Sequence, residues 1–169
     1  MIVRLAREDD DAAILDVHRR AFGDEGEEVV RIVQELRAGG YAVPELAFVA
    51  EVDGRVVGSV LSSWVGLEGA ERRFLQLSPL GVLPEHQRRG HGGALVRASL
   101  DGAGARREPL LFVEGNPAYY GRFGFVRADE LGWPPPPEAL FDWAFQVAVL
   151  DERADLPRGR VVYPPPFRH

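Results

Sequence analysis

Leu80-Gly81-Val82-Leu83-Pro84-Glu85-His86-Gln87-Arg88-Arg89-Gly90-His91-Gly92-Gly93-Ala94-Leu95 is the stretch on which the fold turns. It reads as the end of a strand, a turn and a glycine-rich helix start. Glycines let an anion approach the backbone closely. The first-turn N–H groups of a helix are unpaired donors, and the helix dipole favours negative charge there. Arg88 and Arg89 add charge at the same end. The stretch is a physical recipe for a pyrophosphate site. Its plain alternative is a strand–helix connection with glycines for tight packing.

Three phosphate-binding patterns compete for it. A Walker loop needs Gly-Lys-Ser/Thr, and all 20 basic residues are arginine. A Rossmann fingerprint needs G-x-G-x-x-G after the first strand of a βαβ unit, whereas Gly90 and Gly92 are followed by Leu95 and two strands precede them. The third pattern, Gln-x-x-Gly-x-Gly/Ala, is met by Gln87, Gly90 and Gly92.

Upstream, Asp9 or Asp10 is a candidate cap for a helix with Ile14, Val17, Ala21 and Phe22 at helical spacing, stopped by Gly23. Asp24 is a candidate cap for a second helix, with Val29, Val30, Ile32, Val33 and Leu36 inward and Gly39-Gly40 at its end. The period then changes. Leu46–Val52 and Arg55–Val65 read as strands joined by an Asp53-Gly54 hairpin turn. Phe74–Leu83 is a third strand, with Pro79 predicting a bulge or a splayed edge. Downstream, the pattern predicts a helix over 90–105, a strand at 109–113, a short helix at 117–123, a strand starting at Phe125 and a last strand over 141–150. Two proline clusters, 134–137 and 164–166, read as extended loops lying over the sheet.

The 169 residues suit one domain, with 46% hydrophobic and 27% charged residues. No apolar run reaches the roughly 20 residues of a membrane span, and the acidic Glu8-Asp9-Asp10-Asp11 denies the N-terminus a signal-peptide core, so a cytoplasmic protein is expected. The absence of cysteine removes disulfides, thiolate nucleophiles and Cys-based zinc sites; the absence of lysine removes Schiff-base chemistry. A net charge of −6 argues against general nucleic-acid binding. No carboxylate–histidine cluster stands at ligand spacing, so no metal is expected, and His86 and His91 merely flank the loop.

Downstream of the glycine turn lies Asn116-Pro117-Ala118-Tyr119-Tyr120-Gly121-Arg122-Phe123-Gly124-Phe125. Together the two segments resemble the GNAT superfamily of acetyl-CoA-dependent N-acetyltransferases. Gln87–Gly92 is similar to its motif A and Tyr120-x-x-x-Gly124-Phe125 to its motif B. The wording around Tyr120, with a Tyr-Pro-Pro-Pro-Phe tail, resembles the YhbS-type predicted N-acetyltransferase branch. The resemblance covers about residues 2–150, leaving 151–169 as a Pro-rich C-terminal extension of a single domain, 1–169. It implies an α+β (mixed α/β) fold: a central, mostly antiparallel sheet, splayed at the motif A strand, with flanking helices.

The resemblance also implies roles. Leu80, Gly81 and Val82 would offer backbone groups to the pantetheine arm of acetyl-CoA. Gln87, Arg88, Arg89, Gly90, His91, Gly92 and Gly93 belong to the loop that would cradle its pyrophosphate. Tyr120 would protonate the departing thiolate. Asn116 would contact the cofactor, although it stands only four residues before Tyr120, a shorter spacing than family members often show. The acceptor would be a small-molecule or peptide amine, and a homodimer is an assembly known in the family.

Acyl transfer to an amine needs a deprotonated amine, a stabilised oxyanion and a protonated leaving thiolate. None of these requires a covalent enzyme intermediate, so direct transfer in a ternary complex is expected. Glu114, at the end of the strand before Tyr120, is the leading candidate base; its plain alternative is a solvated strand-end carboxylate. Gln76 and Ser78 could align a water, Glu51 is an outsider, and a solvent-relayed base competes with all of them. His18 reads as a surface or core-edge residue, and Trp64, Trp133 and Trp143 as core or cleft wall. A non-catalytic acyl-CoA-binding sensor with the same fold is the competing function.

Overall fold

A computed structural model describes residues 1–168; His169, the end of the expected C-terminal extension, lies outside the described residues. Eight strands form the sheet: β1 (Ile2–Leu5), β2 (Phe48–Val52), β3 (Arg55–Leu67), β4 (Phe74–Val82), β5 (Leu110–Glu114), β6 (Val126–Arg127), β7 (Phe145–Val149) and β8 (Val161–Val162). Their hydrogen-bonded order is β1-β2-β3-β4-β5-β7-β6, with β8 beside β3. The β1–β2, β2–β3, β5–β7, β6–β7 and β3–β8 pairs are antiparallel, whereas β4 and β5 are parallel. The helices are α1 (Asp11–Ala21), α2 (Gly26–Ala38), α3 (His91–Ala105) and the single turn α4 (Pro117–Tyr120). This is the mixed α/β, mostly antiparallel sheet with flanking helices that the sequence predicts.

The chain clusters into two compact units, one of Met1–Ser62 with Leu77–Gly102, the other of Ser63–Gln76 with the chain from Ala103 onward. In the first, α1 and α2 bury Ile14, Val17, Val30, Val33 and Leu36, at the helical spacing read from the sequence. His18 of α1 bonds Ser59 of β3, and Leu95 of α3 lies against Gly58. Consecutive strand residues point to opposite faces, so α1 and α3 cover opposite sides of β3. In the second unit, Phe74, Phe112, Trp133, Phe145, Val161 and Tyr163 share one apolar cluster, with Trp133 donating its indole N–H to the Pro157 carbonyl at 2.9 Å. Trp133 is thus core, and the proline run beside it is an ordered strap: Pro134 O accepts from Val161 N at 2.9 Å and Pro135 O from Arg160.

Several details differ from the sequence reading. The four-residue β1 and two-residue β8 were not expected; each is short and its partner lies far along the chain. Asp10 stands at the N-cap of α1 but makes no side-chain cap bond, because its carboxylate accepts from Arg4 and from the Arg7 N–H; Asp24 does not cap α2, which begins only at Gly26. The last strand begins at Phe145, because residues 142–144 make a 3-10 turn that leaves Phe141 and Trp143 exposed and stacked at 5.1 Å. The one shift in the β2–β3 register falls between Ala50 and Glu51. At the expected break in β4 the Ser78-Pro79 peptide is cis.

Candidate active site

The glycine turn lies wholly in the first unit. Leu83 N bonds Val57 O at 2.8 Å, anchoring the end of β4 on β3. Pro84–His86 make a 3-10 turn, and its Glu85 is held by Arg20 of α1 at 2.9 and 3.1 Å, with Arg55 at 3.7 Å. The Gln87 side-chain amide donates to Val82 O at 3.0 Å. Gln87 is therefore the brace that closes the turn, and Val82 O is engaged by it. Arg88 (φ 61°) and Gly90 (φ 86°) are both left-handed, which turns the chain into α3.

The first backbone bond at the start of α3 runs from Ala94 N to Gly90 O. The N–H groups of His91, Gly92 and Gly93 lie ahead of it, as the orphan donors of a helix start. Arg88 and Arg89 are exposed, and among the described residues neither has an ion-pair partner. His91 is buried, which pushes its imidazole pKa down, with His86 and Arg89 adding to the effect; it is neutral at pH 7. The rings of His86 and His91 stand 6.0 Å apart with both Nδ1 atoms buried and unpartnered. Free N–H donors and two guanidiniums without ion-pair partners among the described residues fit a polyanion.

Leu80 and Val82 are half-buried, and Gly81 is buried beneath α1. A Cβ at Gly81 would stand 2.9 Å from His18 Nδ1 and 3.3 Å from Ala21 Cβ. His18 is not at the surface: it is fully buried, bonded through Nε2 to Ser59 Oγ at 3.1 Å, and burial drives its pKa down to about 3. The imidazole is thus a neutral core group that packs α1 on β4.

The second unit gathers Glu114, Gly115, Asn116 and Tyr120. The Tyr120 ring packs edge-on against Tyr119 (5.0 Å) and Phe125 (5.6 Å). Its approach to the chain is possible because residue 115 is glycine: a Cβ there would lie 2.5 Å from Tyr120 Cε2. Burial, and then Tyr119, push the Tyr120 hydroxyl well above the ordinary tyrosine range, so it keeps its proton at neutral pH. Asn116 caps α4, its Oδ1 accepting from Ala118 N at 2.9 Å. That bond takes one of the two lone pairs of the oxygen for the chain.

Glu114 closes β5 half-buried. Its Oε2 accepts from the Tyr163 hydroxyl at 2.9 Å and its Oε1 from Leu140 N at 2.9 Å. It is not a solvated strand end. Tyr163 was missed in the sequence; the aromatic before a proline run was the available signal. Gln76 is fully buried on β4, and its register partner Phe112 lies two residues before Glu114. Glu51 pairs with Arg4 at 2.9 Å. Among the described residues no group of three or more His, Cys, Asp or Glu could hold a metal ion, and no helix is long and apolar enough to cross a membrane.

Residues 2–128 match the sequence family described as an acetyltransferase (GNAT) domain. The chain is 34% identical over 130 residues to YjhQ of Escherichia coli K12, an uncharacterized N-acetyltransferase, covering 75% of this chain and 71% of that protein. It superposes on the crystal structure of YhbS, a GNAT family N-acetyltransferase from Escherichia coli in complex with CoA, with a TM-score of 0.88, 30% identity, and coverage of 98% and 91% of the two chains. A GNAT family acetyltransferase from Brucella melitensis, in complex with acetyl-CoA, gives a TM-score of 0.79 at 31% identity, covering 99% of this chain and 97% of that one.

Proposed function

The chain belongs to the GNAT acetyltransferase family, and from that premise we propose that it transfers the acetyl group of acetyl-CoA directly to a primary amine. The observation that carries this reading is the glycine turn: orphan N–H groups at His91, Gly92 and Gly93 beside unpaired Arg88 and Arg89. The loop takes the pyrophosphate on those donors, while Leu80, Gly81 and Val82 offer backbone groups to the pantetheine arm.

The acceptor arrives as an ammonium and must lose a proton before its nitrogen can attack. Glu114 receives that proton and returns it to solvent. The amine lone pair then forms the C–N bond at the thioester carbonyl, and the C–S bond breaks. Tyr120 gives its proton to the departing thiolate and recovers one from the acylated nitrogen. The products are the amide, free CoA thiol and one proton to solvent. The Tyr120 hydroxyl enters the step protonated, and because burial raises its pKa and weakens it as a donor, its transfer runs in concert with recovery of the proton from the acylated nitrogen.

Calorimetric titration with acetyl-CoA, with free CoA and NAD in parallel, followed by an amine panel, tests the reading. Acetyl-CoA and CoA are expected to bind with NAD silent, and at least one primary amine is expected to be acetylated. Binding without turnover of any amine would favour an acyl-CoA sensor instead.

A further inference from the structure

Three side chains that carry acceptor oxygens act on one buried hydroxyl in the second unit. Tyr163 is 4% exposed and donates to Glu114 Oε2. The Gln76 side chain, 2% exposed, lies within reach of the same hydroxyl, and its Oε1 is buried with no partner. Glu138, on the strap beside the proline run, faces Tyr163 electrostatically, and its Oε2 is likewise buried and unpartnered. The nearby cation is Arg168: its Nε stands 3.9 Å from Glu138 Oε1, while the guanidinium donates to Tyr163 O at 2.9 and 3.2 Å. Glu138 thus has one distant guanidinium, and among the described residues Glu114 has no ion-pair partner, which leaves the cluster negative.

An unpaired acceptor in a buried site calls for a donor. Gln76 Oε1 and Glu138 Oε2 each lack one. Glu114 uses two of its roughly four lone-pair sites and has capacity left. A primary ammonium brings three N–H donors and one positive charge, which matches three acceptors and the charge imbalance together. A quaternary ammonium brings the charge without donors, and a carboxylate brings neither. Gln76 and Tyr163 are buried, whereas Glu114 and Glu138 are half-buried, so the two carboxylates form the accessible side of the cluster.

Resting on the acetyl-transfer reading above, we propose that Gln76, Glu114 and Glu138, arranged about the Tyr163 hydroxyl, are the seat of the acceptor's primary ammonium. Tyr163, contributed by the C-terminal segment beyond the family match, is a positioning residue: its O–H fixes the Glu114 carboxylate that takes the proton.

The test separates binding from turnover. The CoA-saturated, isotope-labelled protein is titrated with n-butylammonium, tetramethylammonium and butyrate, following the Gln76 side-chain amide and the Tyr163 ring by NMR. Saturable shifts with n-butylammonium alone are expected. Equal shifts with tetramethylammonium, or none with n-butylammonium, would overturn the seat. In parallel, Glu138→Gln and Gln76→Met are expected to raise KM for the best primary amine of the panel about tenfold or more. The KM for acetyl-CoA should stay within about twofold. Tyr163→Phe is expected to lower kcat while acetyl-CoA binds as before. Glu138 is only half-buried, so its conservative variant folds even where the buried ones fail, and an unchanged amine KM in Glu138→Gln would sink the proposal. Failure of the transfer reading looks different: no amine is acetylated while n-butylammonium still shifts Gln76, which leaves the seat standing as an ammonium site.

Discussion

The Cβ that Gly115 lacks would stand 2.5 Å from Cε2 of Tyr120 and 3.1 Å from its Cδ2. The ring is held against the backbone by Tyr119 and Phe125, with no space for even one methyl group. Gly115→Ala must therefore displace it. The expected result is a stability loss of about 1–3 kcal/mol in urea unfolding, the usual scale of overpacking. Turnover should fall while acetyl-CoA affinity holds. In a double-mutant cycle with Tyr120→Ala, most of the stability loss should disappear, because the clashing ring is gone. Turnover at the original level in Gly115→Ala would separate the ring's position from the reaction.

Tyr120→Phe removes only the hydroxyl. Because that group enters the step protonated, its loss should slow turnover by roughly 10²-fold or more, the scale of general acid catalysis, without weakening acetyl-CoA binding. The ring contacts survive, so the melting temperature should hold. Steady-state kinetics beside calorimetry reads both quantities. A variant that turns over as fast as the parent would remove Tyr120 from the acid role.

These residues also mark how far the sequence could be read. Asp53-Gly54 announced its hairpin because the signal is local: both residues are left-handed, at φ 50° and 76°, and Val52 pairs with Arg55 across them. The glycine turn and Tyr120 were legible for the same reason, as short runs with fixed spacing. Glu114 was found, but the bond from Tyr163 spans 49 residues, and no local pattern records it. His18 read as a surface or core-edge residue because its full burial depends on Gly81, on a strand far along the chain. β1 was missed because its four residues have exposed ends and gain their partner only in β2.

Gly92→Glu should abolish acetyl-CoA binding. It would put bulk and negative charge beside the orphan N–H groups of His91 and Gly93, at the start of α3. Gln87→Ala is the milder companion: it frees Val82 O from the brace and should weaken binding without abolishing it. Calorimetric titration reads both. Undiminished affinity in Gly92→Glu would show that the pyrophosphate sits elsewhere.

Gly81→Ala should destabilise the first unit. Its new methyl would meet His18 Nδ1 at 2.9 Å and Ala21 Cβ at 3.3 Å, and a buried α1 has little room to retreat. A loss of about 1–3 kcal/mol is expected. Combining it with His18→Ala should be less destabilising than the sum of the two single variants, since the smaller side chain leaves room for the methyl. Strict additivity in urea unfolding would show that the His18–Gly81 approach does not limit the packing.

Asp10 supplies a pH-dependent stability contribution. Arg4 grips its carboxylate with two hydrogen bonds, at 2.7 and 3.0 Å, and the Arg7 N–H adds a third at 2.7 Å. The Arg4 bonds hold the Asp10 pKa at about 2, below its ordinary 3.8. A carboxyl depressed in the folded state stabilises the protein above its unfolded pKa and loses that contribution as pH falls toward the folded value. The window is therefore between about pH 4 and 2, and the depression corresponds to about 2 kcal/mol at neutral pH. Asp10→Asn should be less stable than the parent at pH 7 by that amount or more, since the amide cannot accept the same fork from Arg4. The difference should shrink as pH is lowered through the window, because the parent then loses the charge the variant never had. Urea midpoints for both proteins across pH 7 to 2.5 decide it: a constant gap would mean that Asp10 acts through packing rather than through its ion pair with Arg4.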